Sequence, residues 1–90
     1  MAELILYTRR GCCLCEGLEE RLRALEPPPP LRRVDIDADP ALRARYDLEV
    51  PVLALECQGE LRELPRVSPR LAGPQLRNWL QGNGFPGQQA

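Results

Sequence analysis

The 90-residue sequence contains no histidine and no lysine; its twelve basic residues are all arginine. Without histidine a mixed cysteine–histidine zinc site is excluded. A four-thiolate site would need a second C-x-x-C, which is absent. Aromatic residues are scarce, only Tyr7, Tyr46, Trp79 and Phe85, so the core has to be built mainly from Leu and Val. No apolar run reaches membrane-spanning length. Met1-Ala2-Glu3-Leu4 lacks the charged segment and long apolar stretch of a signal peptide. Neither sign of charge dominates: 12 basic residues against 13 acidic give a net charge of −1. That argues against a nucleic-acid or membrane-binding surface. The expected setting is the cytoplasm, where a cysteine pair is more often catalytic or metal-binding than structural. The length suits one domain with a small core.

What the chain does have is Cys12-Cys13-Leu14-Cys15, directly after a short apolar strand and directly before a helical stripe. Leu4 to Tyr7 form the apolar run of a buried strand, bounded by Thr8-Arg9-Arg10-Gly11. Cys15, Leu18, Leu22 and Leu25 recur at helical spacing, which predicts a helix from Cys13 to Leu25, ended by Pro27 to Pro30 in a stiff surface turn. Leu31 to Ile36 read as a second strand. Asp39-Pro40 is an N-cap followed by a first-turn proline, opening a short helix with Leu42 and Tyr46 on one face. Pro51 opens a third strand, Val52 to Cys57. Gln58-Gly59 signals a hairpin, and Glu60 to Leu64 return. Ser68-Pro69 marks a short turn, and Gly73-Pro74 starts a last helix, Pro74 to Gln81, closed by Gly82. The domain therefore spans residues 1–82, and residues 83–90 read as a disordered tail. The order is β-α-β-α-β-β-α, an α/β fold with a mixed four-stranded sheet and helices on both faces.

Three positions is about one helical turn, close enough for two thiols to form a disulfide. Cys12, at the helix start, meets free backbone N–H groups that favour thiolate, so it is the candidate nucleophile. Cys15 falls on the buried stripe and is the candidate resolving thiol. The plainer readings are a surface cysteine and a small core hydrophobe. Cys13 is turned away from Cys15 and reads as a substituted turn residue, with a glutathione adduct or an intermolecular bridge as the alternative, and Cys57 reads as structural. Arg9 and Arg10 are either cations that stabilise the thiolate and contact a substrate carboxylate or solvated loop charges. Pro51 taken alone is a strand-start proline.

Tyr7-Thr8-Arg9-Arg10-Gly11-Cys12-Cys13-Leu14-Cys15 together with Glu49-Val50-Pro51 resembles the active-site stretch and the Thr-Val-Pro of glutaredoxins, within the thioredoxin fold. Val34-Asp35-Ile36-Asp37 before Asp39-Pro40 is similar to a small bacterial glutaredoxin-like subfamily, and the resemblance covers about residues 3–81. It implies a thiol–disulfide oxidoreductase with Cys12 and Cys15 catalytic and with Arg9, Val50 and Pro51 meeting the substrate. Pro51 would be cis, leaving the Val50 backbone to pair with an extended substrate. The diglycine and acidic residue that hold glutathione ahead of the last helix are missing, and Arg66-Val67-Ser68-Pro69 stands near there instead. Weak glutathione binding is therefore expected. The expected partners are a disulfide-containing protein or small thiol and a reductant, either glutathione or a thioredoxin reductase system, with the chain monomeric. No bound metal or organic cofactor is implied, glutathione entering only as a co-substrate. The alternative is a non-enzymatic carrier of an iron–sulfur cluster shared across a dimer, or a redox-sensing adaptor.

Overall fold

The computed structural model describes residues 2–85. The elements are β1 (Ala2–Thr8), α1 (Cys13–Arg23), β2 (Leu31–Asp35), a 3-10 turn (Ile36–Ala38), α2 (Pro40–Tyr46), β3 (Val52–Cys57), β4 (Glu60–Glu63) and α3 (Gly73–Gly82). The sheet order is β2-β1-β3-β4. β1 runs parallel to β2 and antiparallel to β3, with Tyr7 opposite Val52 and Ala2 opposite Cys57. The β3–β4 hairpin turns at Gln58 and Gly59, which both have positive φ, 55° and 84°. That geometry matches the twist of the flanking strands.

Side chains of β1 alternate between the two faces, as the period of a strand requires. Leu4 and Leu6 meet Leu18 and Leu22 of α1 and Leu76 and Leu80 of α3. Ile5 and Tyr7 meet Ile36 and Tyr46 on the other face. Helices thus cover both faces, and leucine carries most of the larger core. Tyr7 and Tyr46 stack with ring centroids 4.8 Å apart. Burial, then the charge of Tyr46, raises the Tyr7 hydroxyl above its ordinary pKa.

β1 extends beyond the expected Leu4–Tyr7 at both ends, and α3 starts at Gly73, one residue before Pro74; four further boundaries differ from expectation. α1 ends at Arg23 with Ala24 as C-cap, yet Leu25 stays buried because its N–H still donates to Leu22 O, 3.2 Å. Ile36 leaves β2 because the Asp35 carboxylate accepts from Asp37 N at 2.9 Å and folds the chain into the 3-10 turn. β4 stops at Glu63, although Leu64 still donates to Leu53 O, 2.9 Å.

The last difference is at the C-terminal side. Gly82 lies within α3 rather than closing it. Gly84 takes the left-handed conformation, φ 100°. Its N–H donates to Gln81 O at 3.1 Å, and that of Phe85 to Leu80 O at 3.0 Å. These are the two bonds of a Schellman motif, with Phe85 packed into the core beside Leu80. Phe85, expected in a tail, is only 7% exposed; residues 86–90 of that expected tail lie outside the described residues.

Candidate redox site

The site forms where β1 ends and β3 begins. The antiparallel Tyr7–Val52 pair puts the loop after Thr8 and the Val50–Pro51 dipeptide at the same end of the sheet. Arg9 to Cys12 make a tight turn. Gly11 supplies φ 80°, and Cys12 N donates to Arg9 O at 3.3 Å. Only glycine adopts that φ without a side-chain penalty.

Cys12 is the N-cap of α1. Its Sγ accepts from Cys15 N at 3.1 Å, and its carbonyl accepts from Glu16 N at 3.0 Å. Cys12 and Cys15 are joined in a disulfide, with Cα atoms 5.2 Å apart. Cys12 is half-buried, whereas Cys15 is fully buried. Cys12 is thus the more exposed of the two, and its sulfur accepts a helix N–H. The asymmetry expected from the helical stripe is present, with Cys12 less exposed than expected.

Cys13 is exposed and free, and Cys57 is half-buried and free. Cys57 pairs with Ala2 at the far end of β1. Six strand rises, about 20 Å, separate that end from the dithiol, far beyond disulfide reach. Among the described residues no group of three or more metal-ligating side chains comes together.

The Val50–Pro51 peptide bond is cis, and both residues are half-buried. Val50 lies outside the β1–β3 ladder, which begins at Val52. Pro51 also lines a small groove with Leu14, Leu18, Arg21, Arg66, Val67 and Pro69. Leu14 is 60% exposed there. Arg21 anchors the far wall: its guanidinium donates to Gly17 O, 3.1 Å, Pro69 O, 2.6 Å, and Leu71 O, 2.5 Å. The loop before α3 thus turns carbonyls towards the site's neighbourhood. The N-cap of α3, Ala72, makes no side-chain capping bond, and Pro74 removes a further donor.

Arg9 is the site residue whose surroundings differ most from expectation. Its guanidinium is directed onto two acids. It grips Asp37 with Nε to Oδ2 at 3.3 Å and Nη2 to Oδ1 at 2.8 Å. Nη1 donates to both Oδ1 and the carbonyl of Asp47, each at 2.9 Å. These bonds raise the Arg9 pKa, and the hydrogen bond from Arg9 holds the Asp37 carboxyl below the ordinary carboxylate value. Asp37, noticed only within the Val34-Asp35-Ile36-Asp37 motif, and Asp47 were not evident in the sequence as partners of Arg9. A signal was present: Asp47 is the C-cap of α2, where a negative charge opposes the helix dipole and needs a cation nearby. Arg21 was equally invisible, since its partners are backbone carbonyls some fifty residues on.

No curated protein matches the chain. Among solved structures, the X-ray structure of target protein XcR50 from X. campestris is 36% identical, with TM-score 0.60 over 88% of this chain and 96% of that one. Its solution structure is 34% identical, with TM-score 0.62 over 96% and 99%. A malarial protein of 13% identity, TM-score 0.58 over 94% and 99%, shares the fold. Residues 3–81 match the glutaredoxin-like domain (DUF836). With a bonded dithiol capping the first helix of a thioredoxin-like sheet, the chain belongs to that glutaredoxin-like family.

Proposed function

We propose that the protein is a thiol–disulfide oxidoreductase that reduces disulfides of proteins or small molecules. In the reduced state the Cys12 thiolate attacks one sulfur of a substrate disulfide. A Cys12–substrate disulfide forms, and the other substrate sulfur leaves as thiolate. Cys15 gives up its proton and attacks the Cys12 sulfur, releasing the second substrate thiolate and leaving Cys12–Cys15 oxidised. Two electrons pass to the substrate. A thiol reductant then restores the pair, either glutathione or a thioredoxin reductase system. The backbone at Val50, outside the ladder and beside Pro51, is where an extended substrate segment would pair. The observation that carries this reading is the Cys12–Cys15 pair itself: a helix N–H on the outer sulfur, and the inner sulfur buried.

The test is a disulfide-reduction assay run in parallel with glutathione and with a thioredoxin reductase system. Activity should vanish in Cys12→Ser. In Cys15→Ser it should stall at a trapped mixed disulfide. Full activity in Cys12→Ser would overturn the mechanism.

Glutathione should be a poor ligand. The entry to α3 carries Pro69 and Pro74, neither of which has an N–H, where charge-assisted donors would be needed. Losing two such bonds, each about 1.5–3 kcal/mol, weakens binding at least about a hundredfold. NMR titration of Cys15→Ser with oxidised glutathione checks this; saturation in the micromolar range with shifts near Ser68 would contradict it.

A further inference from the structure

We infer that Arg9 is a positioning residue: with Asp37 and Asp47 it forms an ionic clamp that holds the Cys12 turn against the loop leading to Val50 and Pro51. The inference deepens the exchange reading and rests on it. One guanidinium joins three segments. Its fork grips Asp37 in the 3-10 turn, and a third nitrogen donates twice to Asp47 at the end of α2. The backbone of Arg9 continues the link, since its carbonyl accepts the N–H of Cys12. From Asp47 the chain needs only Leu48 and Glu49 to reach Val50. The two halves of the site, nucleophile and substrate-pairing backbone, therefore hang from the two ends of one side chain.

The geometry also decides against a second role. Four of the five N–H donors of an arginine are committed here. The charge is matched by two carboxylates, and the Arg9 side chain is 28% exposed. A substrate carboxylate would have to displace an internal one. Arg9 itself accordingly offers no free cation to an anionic substrate. Lysine could not replace arginine in this arrangement, because an ammonium is a point charge without the planar fork.

The test uses the reduced full chain carrying Cys13→Ser, which removes the exposed competing thiol, and two probes, an uncharged dipyridyl disulfide and a carboxylate-bearing aromatic disulfide. Stopped-flow rates for Cys12 are read on the high-pH plateau, where the thiolate is fully formed and a shifted pKa does not enter. The variants are Arg9→Gln, Arg9→Lys, Asp37→Asn and Asp47→Asn. With a clamp, all four slow the uncharged probe by about two- to fivefold, the scale of partly exposed ionic contacts. Arg9→Lys fails to rescue, and the double variant Arg9→Gln/Asp37→Asn is no worse than Arg9→Gln alone.

Unchanged rates with the uncharged probe overturn the inference. So does a faster reaction of the anionic probe confined to Asp37→Asn and Asp47→Asn, which would show a guanidinium freed to bind substrate. A second readout does not depend on reactivity. In Asp37→Asn the amide resonances of Cys12 and Val50 should shift together, and shifts confined to the 3-10 turn would overturn the clamp. A Cys12 unreactive to both probes in the Cys13→Ser parent chain would instead sink the exchange chemistry and leave the NMR result to judge the clamp.

Discussion

Cys12 and Cys15 carry the same side chain, and their difference is entirely one of place. Cys12 stands outside the helix as its cap and receives an N–H; Cys15 sits one turn in, with no exposed surface. Cys13, between them, is at the surface and unbonded. Two labelling results follow. In the oxidised protein an alkylating reagent should modify Cys13 quickly and half-buried Cys57 slowly, with Cys12 and Cys15 protected. After reduction, brief alkylation under mildly acidic conditions should label Cys12 first, because the sulfur that accepts a helix N–H holds the larger thiolate fraction. Peptide mapping reads both, and preferential labelling of Cys15 would reverse the roles. Cys13→Ser should keep most reductase activity, since Cys13 is exposed and lies outside the disulfide.

Among the elements, the short ones are the most dependent on side-chain help. α2 has seven residues and opens on Asp39, whose carboxylate accepts from Ala41 N at 2.9 Å, with Pro40 in the first turn. Asp39→Ala should cost about 0.5–2 kcal/mol, measured by urea unfolding. The same helix ends on Asp47, a charge of the wrong sign for its place, which Arg9 offsets. The clamp gives a pH signature of definite sign. Asp37 has a folded pKa below its unfolded value, so its contribution is fully present above the ordinary carboxylate pKa and is lost as pH falls through the lower, folded value. The stability gap between wild type and Asp37→Asn should therefore be full near neutral pH and close on acidification, as followed by denaturant midpoints. A gap that widens in acid would contradict the assignment. The cap of α2 was legible because Asp-Pro is a local signal. The Arg9 clamp was not, because its partners lie 28 and 38 residues away.

Across the whole molecule the core is nearly all leucine on the face shared by α1 and α3, with tyrosines and β-branched residues on the other. Phe85 closes the leucine face by way of the turn at Gly84. Phe85→Ala should destabilise the chain by about 3 kcal/mol, the low end for a buried phenylalanine because the site is next to the end of the last helix. An unchanged urea midpoint would show that the residue adds nothing to the core. The same Gly-rich stretch also reads as tail, since a single aromatic among polar residues has no periodicity to reveal its burial.

The sequence by itself determined what local chemistry and spacing can determine. It placed the dithiol at the start of α1, Cys15 on the buried stripe, the Asp39 cap and the Gln58-Gly59 hairpin, and it implied a mixed four-stranded sheet. The local features each depend on residues within a turn or two of one another, and the sheet follows from the order of the elements and the handedness of the crossover. Through resemblance the sequence also implied the cis bond before Pro51. Only the tertiary structure decided where Arg9 points, which loop Arg21 holds, and that Phe85 belongs to the core. Those outcomes depend on which distant groups the packed sheet brings within about 3 Å, the reach of a hydrogen bond. A charged or aromatic side chain with several chemically equivalent partners available has no preference among them until the fold fixes the distances.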